Sequence, residues 1–326
     1  MIYHLLKTNR VINYLLFPLL AAGIWILNIR ETLVYPFYKG EDQMPVYNLL
    51  TEPLADYPMA SALLALGLLI LSGILVQRIN NEYGFARTKN LLPFSIFLLT
   101  VTGFKTMHAM HPVYFSVIFI LLAVYKLFSA YDCRKPYSQL FDAGILLGTA
   151  SLFYLNTLIL LPAYVAGGSI LGRETRWREV VLLIAGAITP WVFVAGYLFL
   201  QGEIMQLIHI LEANLLTENN EILSDYQTMV FTGYLMLLTL AGSYQIIRQY
   251  EEKKISIRQY FLVFFLIFVS TVVSFFLIPA ASGEVMILAA IPVSFLLSNM
   301  LSSMKKRIAG EIILYLLLGL NLYSQL

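Results

Sequence analysis

Two short stretches of the chain gather the residue types that can do acid–base or anion-binding chemistry. The first holds Arg30-Glu31 and, just after Gly40, the adjacent carboxylates Glu41-Asp42. A carboxylate placed there can act as a general base toward a hydroxyl, and two adjacent ones can hold a divalent cation. The bland alternative for Lys-Gly-Glu-Asp-Gln, residues 39–43, is a polar turn. The second stretch is KTMHAMHP, residues 105–112. Lys105, His108 and His111 recur every three residues, which on a helix puts them on one face. A lysine with two imidazoles suits an anionic headgroup. Two histidines at this spacing can also ligate a metal, but no carboxylate stands beside them in sequence to orient the rings. No metal site is therefore assigned and no cofactor is expected. Glu284, in Ser-Gly-Glu before an apolar run, reads as a solvated helix N-terminus, where a negative charge is favourable.

The elements that must position these groups are apolar. Of 326 residues 59% are hydrophobic and only 12% charged, with a mean hydropathy of +0.76. A soluble domain of this length needs far more polar surface. The net charge of +2 and the absence of polar low-complexity tracts argue against disorder and against nucleic-acid binding. The single cysteine, Cys133, excludes a disulfide scaffold and CxxC metal sites. The composition implies an all-α, polytopic membrane protein forming one integral membrane domain.

A helix needs about 20 mostly apolar residues to cross the hydrocarbon. That rule predicts eleven spans: 11–29, 59–77, 91–107, 113–129, 138–154, 157–172, 180–200, 228–247, 259–279, 285–303 and 309–323. The first is too long for a signal-peptide core and lacks a small-residue cleavage pattern, so it reads as a retained helix. No Walker or GxGxxG loop is present. With the N-terminus in the cytoplasm and sides alternating at every span, 18 of the 21 lysines and arginines fall inside. Arg30, Lys39 and Lys105 are the three outside, an asymmetry that the positive-inside rule predicts.

The two long outer loops are predicted at 30–58 and 201–227. The first carries Tyr35, Phe37, Tyr38, Tyr47 and Tyr57, which suit a headgroup layer, and four prolines that divide it into short pieces. Its segment MPVYNLL, 44–50, is expected to form a brief helix along the membrane. In the second, Ile204, Leu207, Ile208, Leu211 and Leu215 mark an amphipathic stripe. It is either an interfacial helix or a continuation of the seventh span bent at Gly202. Gly144 and Gly148 form a GxxxG pair, the signature of close helix contact.

This layout resembles the GT-C superfamily of integral-membrane glycosyltransferases. One helix precedes a long outer loop, further spans follow, and a second long outer loop comes after the seventh. The texture of 78–193 (RINNEYGFARTKNLLPF, MHPVYFSVIFILLAVYKLF, LFDAGILLGTASLFYLNTLILLPAYVAG, RWREVVLLIAGAITPWVF) is similar to the central helices of that group, and to an uncharacterised bacterial inner-membrane family. The resemblance implies a multi-pass protein of the bacterial inner membrane that takes a sugar from a polyprenyl-phosphate donor on the outer face. It implies a catalytic acid in the first outer loop. Glu31 matches that position best, as glutamate where the group carries aspartate, with Glu41 and Asp42 next. Arg30, Lys105, His108 and His111 would then face the donor's phosphate. Two other classes remain open: a non-catalytic membrane subunit of an envelope assembly or secretion complex, and a lipid or small-molecule transporter. Against a transporter, internal symmetry is not evident and midplane charges are few.

Overall fold

A computed structural model describes residues 11–28, 35, 37, 42–54, 56–85, 90–172, 177–216, 226–249, 251–278, 283–304 and 307–325. Among these residues the fold is helical, with thirteen α-helices, three 3-10 turns and no strand. The α-helices are α1 (Val11–Asn28), α2 (Pro45–Thr51), α3 (Pro58–Tyr83), α4 (Leu92–Thr102), α5 (Val113–Phe128), α6 (Tyr137–Phe153) and α7 (Leu161–Leu171). They continue with α8 (Trp177–Gln201), α9 (Ile204–Leu216), α10 (Tyr226–Arg248), α11 (Ile255–Leu277), α12 (Val285–Ser303) and α13 (Arg307–Tyr323). Each apolar run picked out by hydropathy contains an α-helix among the described residues, and two helices, α2 and α9, fall in the long loops. Among the described residues five helices, α3, α8, α10, α11 and α12, are long and apolar enough to cross a membrane.

Burial separates centre from periphery. In the most apolar window of α12, 83% of residues are buried, against 17% for α8. All eleven residues of α4 are buried. At 1.5 Å per residue α4 is about 16 Å long, half of a ~30 Å hydrocarbon core. The apolar run 91–107 therefore does not form one span-length helix. It stops at Thr102, where Gly103 lets the Phe231 ring of α10 lie against the backbone, and turns through a 3-10 segment, Lys105–His108. Ending a helix in an apolar interior strands its last carbonyls, and such groups must find partners. They find them more than 200 residues away. Asn321 Nδ2 donates to the Leu99 carbonyl (2.6 Å), Ser324 Oγ to that of Gly103 (2.7 Å) and Gln325 Nε2 to that of Thr102 (3.0 Å).

The most extensive helix pair is α6 with α8. A Cβ on Gly144 would press on the Leu183 carbonyl, and one on Gly148 on the Ala187 carbonyl, each reaching backbone atoms at 3.0 Å or less. The expected GxxxG contact is thus present, with Gly186 of α8 seated against the Phe141 carbonyl in return.

Connections sort to two ends of the bundle. At one end Tyr35, the 104–112 turn, Tyr154–Asn156 and Glu284 meet. At the other, Tyr83 and Phe85 pack on Phe128 and Tyr260, the Asp132 amide donates to the Leu171 carbonyl, and Lys253 Nζ donates to Asn299 Oδ1 at 2.6 Å. The run 157–172 opens as a 3-10 turn, Leu155–Leu160, before α7 begins.

Candidate functional site

Tyr35 is the residue that joins the two halves of the site. Its hydroxyl donates to Glu284 Oε2 at 3.2 Å, while the other carboxylate oxygen accepts from Tyr154 at 2.8 Å. Asn156 Nδ2 in turn donates to the Tyr154 hydroxyl (2.9 Å). Glu284 is fully buried. The expectation of a solvated helix N-terminus is overturned, because the start of α12 packs into the bundle beside the α6 end and the first loop. Two tyrosine hydroxyls replace the water that a buried carboxylate would otherwise lose.

His111 lies in the same cluster, its ring 4.6 Å from Tyr35 and 5.6 Å from Tyr154, and it is fully buried. Its Nδ1 accepts the Val113 amide at 3.1 Å and so steadies the first turn of α5. His108, also buried, donates from Nε2 to the Thr102 carbonyl at 2.9 Å and stacks on Trp25 of α1 at 5.2 Å. A carbonyl only accepts, so the Nε2 proton is fixed and Nδ1 is left unprotonated in the neutral ring. Among the described residues that Nδ1 has no hydrogen-bond partner, and neither has Asn156 Oδ1. Both histidines sit in the turn between α4 and α5, and burial pushes each down to about 4. Lys105 lowers His108 further, whereas Glu284 partly offsets the shift of His111.

Above this layer lies a cleft of about 240 Å³. Tyr35, Phe37 and Asp42 of the first loop, Asn48 and Glu52 around α2, and Met110 of the 104–112 turn line it. The loop is held down by Tyr47 of α2, which is buried with its ring edge-on to Phe37 and Phe115. Asn48 and Glu52 also border a wider groove of about 740 Å³ on the far side of α2. Its other wall is the corner between α8 and α9, with Phe193, Tyr197, Glu203 and Leu207. That corner turns at Gly202, whose φ of +78° is the left-handed conformation that favours glycine. Phe193 and Tyr197 are well exposed, as are Ile208 and Leu215 on α9, whereas Leu207 and Asn214 face inward.

Of the sequence-predicted residues, Asp42 is exposed and lines the cleft. His108 and His111 lie beneath it with their rings committed to protein partners, and Lys105 is half-buried on the same turn. Arg30, Glu31 and Glu41 lie outside the described residues. Among the described residues no group of three or more His, Cys, Asp or Glu is arranged to hold a metal ion. Sequence reading missed Tyr35, Tyr154, Asn156 and Glu284 as one cluster. The available signal was local polarity: Tyr-Leu-Asn interrupts an apolar run, and a carboxylate directly precedes another.

A family model described as "Family of unknown function (DUF6427)" matches residues 49–325. No curated protein and no solved structure matches the chain.

Proposed function

For a chain that belongs to the DUF6427 family, we propose a membrane-embedded transferase of GT-C type, working at the outer face on a lipid-borne sugar donor. In this reading the chain crosses the bacterial inner membrane eleven times, with the N-terminus in the cytoplasm, and the short helices α4 and α7 complete their crossings through the adjoining 3-10 segments Lys105–His108 and Leu155–Leu160. The sorting of connections to two ends supports this threading, as does the 18-to-3 distribution of basic residues.

The observation that carries the reading is the cleft itself. Asp42 of the first long loop and Met110 of the 104–112 turn line one cavity, and α2 separates it from a groove walled by exposed Phe193 and Tyr197. A polyprenyl phosphate sugar reaches such a site sideways from the lipid. Asp42 takes the proton of an acceptor hydroxyl and the oxygen attacks the anomeric carbon. The bond from that carbon to the phosphate oxygen breaks, and polyprenyl phosphate leaves. Lys105 supplies positive charge on the cleft's own turn, with Arg30 as a further candidate. His108 and His111, being buried, hold the turn in place rather than contact the phosphate. Glu31 and Glu41 are the alternative bases.

The test uses purified protein in liposomes with a radiolabelled polyprenyl-phosphate sugar and a set of hydroxylated acceptors. Asp42→Asn should lose transfer by roughly a hundredfold or more, the scale of a positioned general base, while keeping the unfolding temperature. Normal transfer by Asp42→Asn, Glu31→Gln and Glu41→Gln alike would remove the mechanism.

A further inference from the structure

The opposite end of the bundle carries a second cavity, unrelated to the cleft. A crevice of about 290 Å³ runs between α3 and α6 along the face of α5. Leu75, Ile79, Leu121, Leu122 and Leu146 form its walls. Its mouth is made by Arg78, Lys126 and Tyr125. The neighbouring surface of α3 exposes Leu71 and Ile74, which places the crevice on a lipid-facing side of the bundle.

The polar groups at the mouth are arranged rather than scattered. The Arg78 guanidinium lies over the Tyr125 ring, 5.7 Å from its centre. The Tyr125 hydroxyl donates to Glu82 Oε1 at 2.6 Å. Lys126 Nζ sits 2.9 Å from Asp142 Oδ2, a pair about two-fifths exposed on both sides. An ammonium has three donors and this contact uses one. Lys126 is in the last turn of α5 and Arg78 lies between one and two turns from the end of α3, at the depth where long basic side chains reach for headgroups. Two cations at the crevice itself, with the carboxylates of Asp142 and Glu82 set outside its lining, stand above five aliphatic side chains and match an anion that carries a hydrocarbon tail. A free phosphate would have no use for the apolar walls, and a neutral lipid none for the two cations.

We propose that this crevice is a binding site for an anionic phospholipid, with one acyl chain along α5 and the phosphate between Arg78 and Lys126. The site does not depend on the transferase reading. On the topology proposed above it opens to the cytoplasmic leaflet, where anionic headgroups meet basic pockets between helices.

Native mass spectrometry of the full chain, supplied with equimolar phosphatidylglycerol and phosphatidylcholine of matched chains, tests the proposal. The wild type should retain phosphatidylglycerol over phosphatidylcholine by roughly fivefold or more, and Arg78→Gln and Lys126→Gln should each lower that preference roughly fivefold, the weight of one basic residue at a charged surface. Asp142→Asn releases Lys126 from its partner and should raise the preference. Leu146→Trp fills the crevice and should reduce retention of both lipids. Equal retention of the two lipids by the wild type would overturn the proposal. So would an unchanged preference in Arg78→Gln, whose exposed side chain can be replaced without loss of fold. A purely structural role for the Lys126–Asp142 pair predicts that Asp142→Asn lowers the unfolding temperature and leaves the lipid preference unmoved, which would equally refute the role given to Lys126.

Discussion

Replacing Glu284 by glutamine tests whether the buried carboxylate fastens the first loop to the bundle. Glu284 accepts two hydroxyls, from Tyr154 at 2.8 Å and from Tyr35 at 3.2 Å, with no exposure to solvent. Hydrogen bonds to a charged group contribute roughly 1.5–3 kcal/mol and neutral ones about 1 kcal/mol. Glutamine keeps the shape, but its amide nitrogen cannot accept, so one hydroxyl loses its acceptor and the other bond weakens. The expected cost is about 2–4 kcal/mol. Tyr35→Phe removes the longer of these two bonds and should cost about 1–2 kcal/mol. Tyr154→Phe should cost more, because it also strips Asn156 Nδ2 of its acceptor. Unfolding in detergent micelles, followed for the single and double variants, gives the coupling between positions 35 and 284. A coupling of about 1 kcal/mol or more is expected, above the ~0.3–0.5 kcal/mol scatter of independent sites. In parallel, a cysteine at position 42, with Cys133 replaced, should react faster with a membrane-impermeant maleimide in the Glu284→Gln background. Additive stabilities, or an unchanged labelling rate, would refute the idea that Glu284 acts through Tyr35 on the cleft.

Two further outcomes follow from the packing and from the buried histidines. Gly148→Ala should push α6 from α8 and cost roughly 1–3 kcal/mol by overpacking, read as a lowered unfolding temperature, whereas Gly67→Ala, with open space around it, should be neutral or stabilising. For pH the sign is set by the depressed folded values of His108 and His111, about 4 each against an ordinary 6.5. Between those limits the unfolded chain binds protons that the folded one does not, so stability should fall as pH drops from about 6.5 toward 4 and be indifferent to these groups above 7. His108→Gln, which can keep the hydrogen bond to Thr102, should flatten that slope by up to one proton, and an unchanged slope would mean that His108 is not held neutral.

Helix content was legible because each apolar run is far longer than a strand and carries its own breaks. Proline as the first residue of α2 and of α3, and Gly202 at the α8 corner, announce boundaries that the structure respects. The Gly144–Gly148 contact was legible for the same reason, since only small residues let two backbones approach. The length of α4 was not. Within 91–107 only Gly103 hints that the helix stops after Thr102, and a lone glycine in an apolar run is compatible with a continuing helix; the deciding groups are Phe231 and residues 321–325, distant in sequence. Glu284 failed for a related reason. A carboxylate before an apolar run reads as solvated until its partners are known, and those partners are 130 and 249 positions away. Asp42 was legible as a candidate by its neighbours alone, but its place on a cleft depended on Tyr47 pinning α2.

The tie between α4 and residues 321–325 also has a bearing on how the molecule is made. As the chain enters the membrane in order, the central helix arrives early with only part of its end satisfied: His108 reaches the Thr102 carbonyl from nearby, but the donors from Asn321, Ser324 and Gln325 to the carbonyls of Leu99, Gly103 and Thr102 are synthesised some 220 residues later. Until then the middle of the bundle is chemically unfinished, and water or transient neighbours must stand in for the missing donors, above all at the Gly103 carbonyl. Assembly therefore closes from the last helix inward: a lesion near residue 321 should be felt first at the heart of the bundle, and proteases should find the nascent chain vulnerable until translation has run almost its whole length.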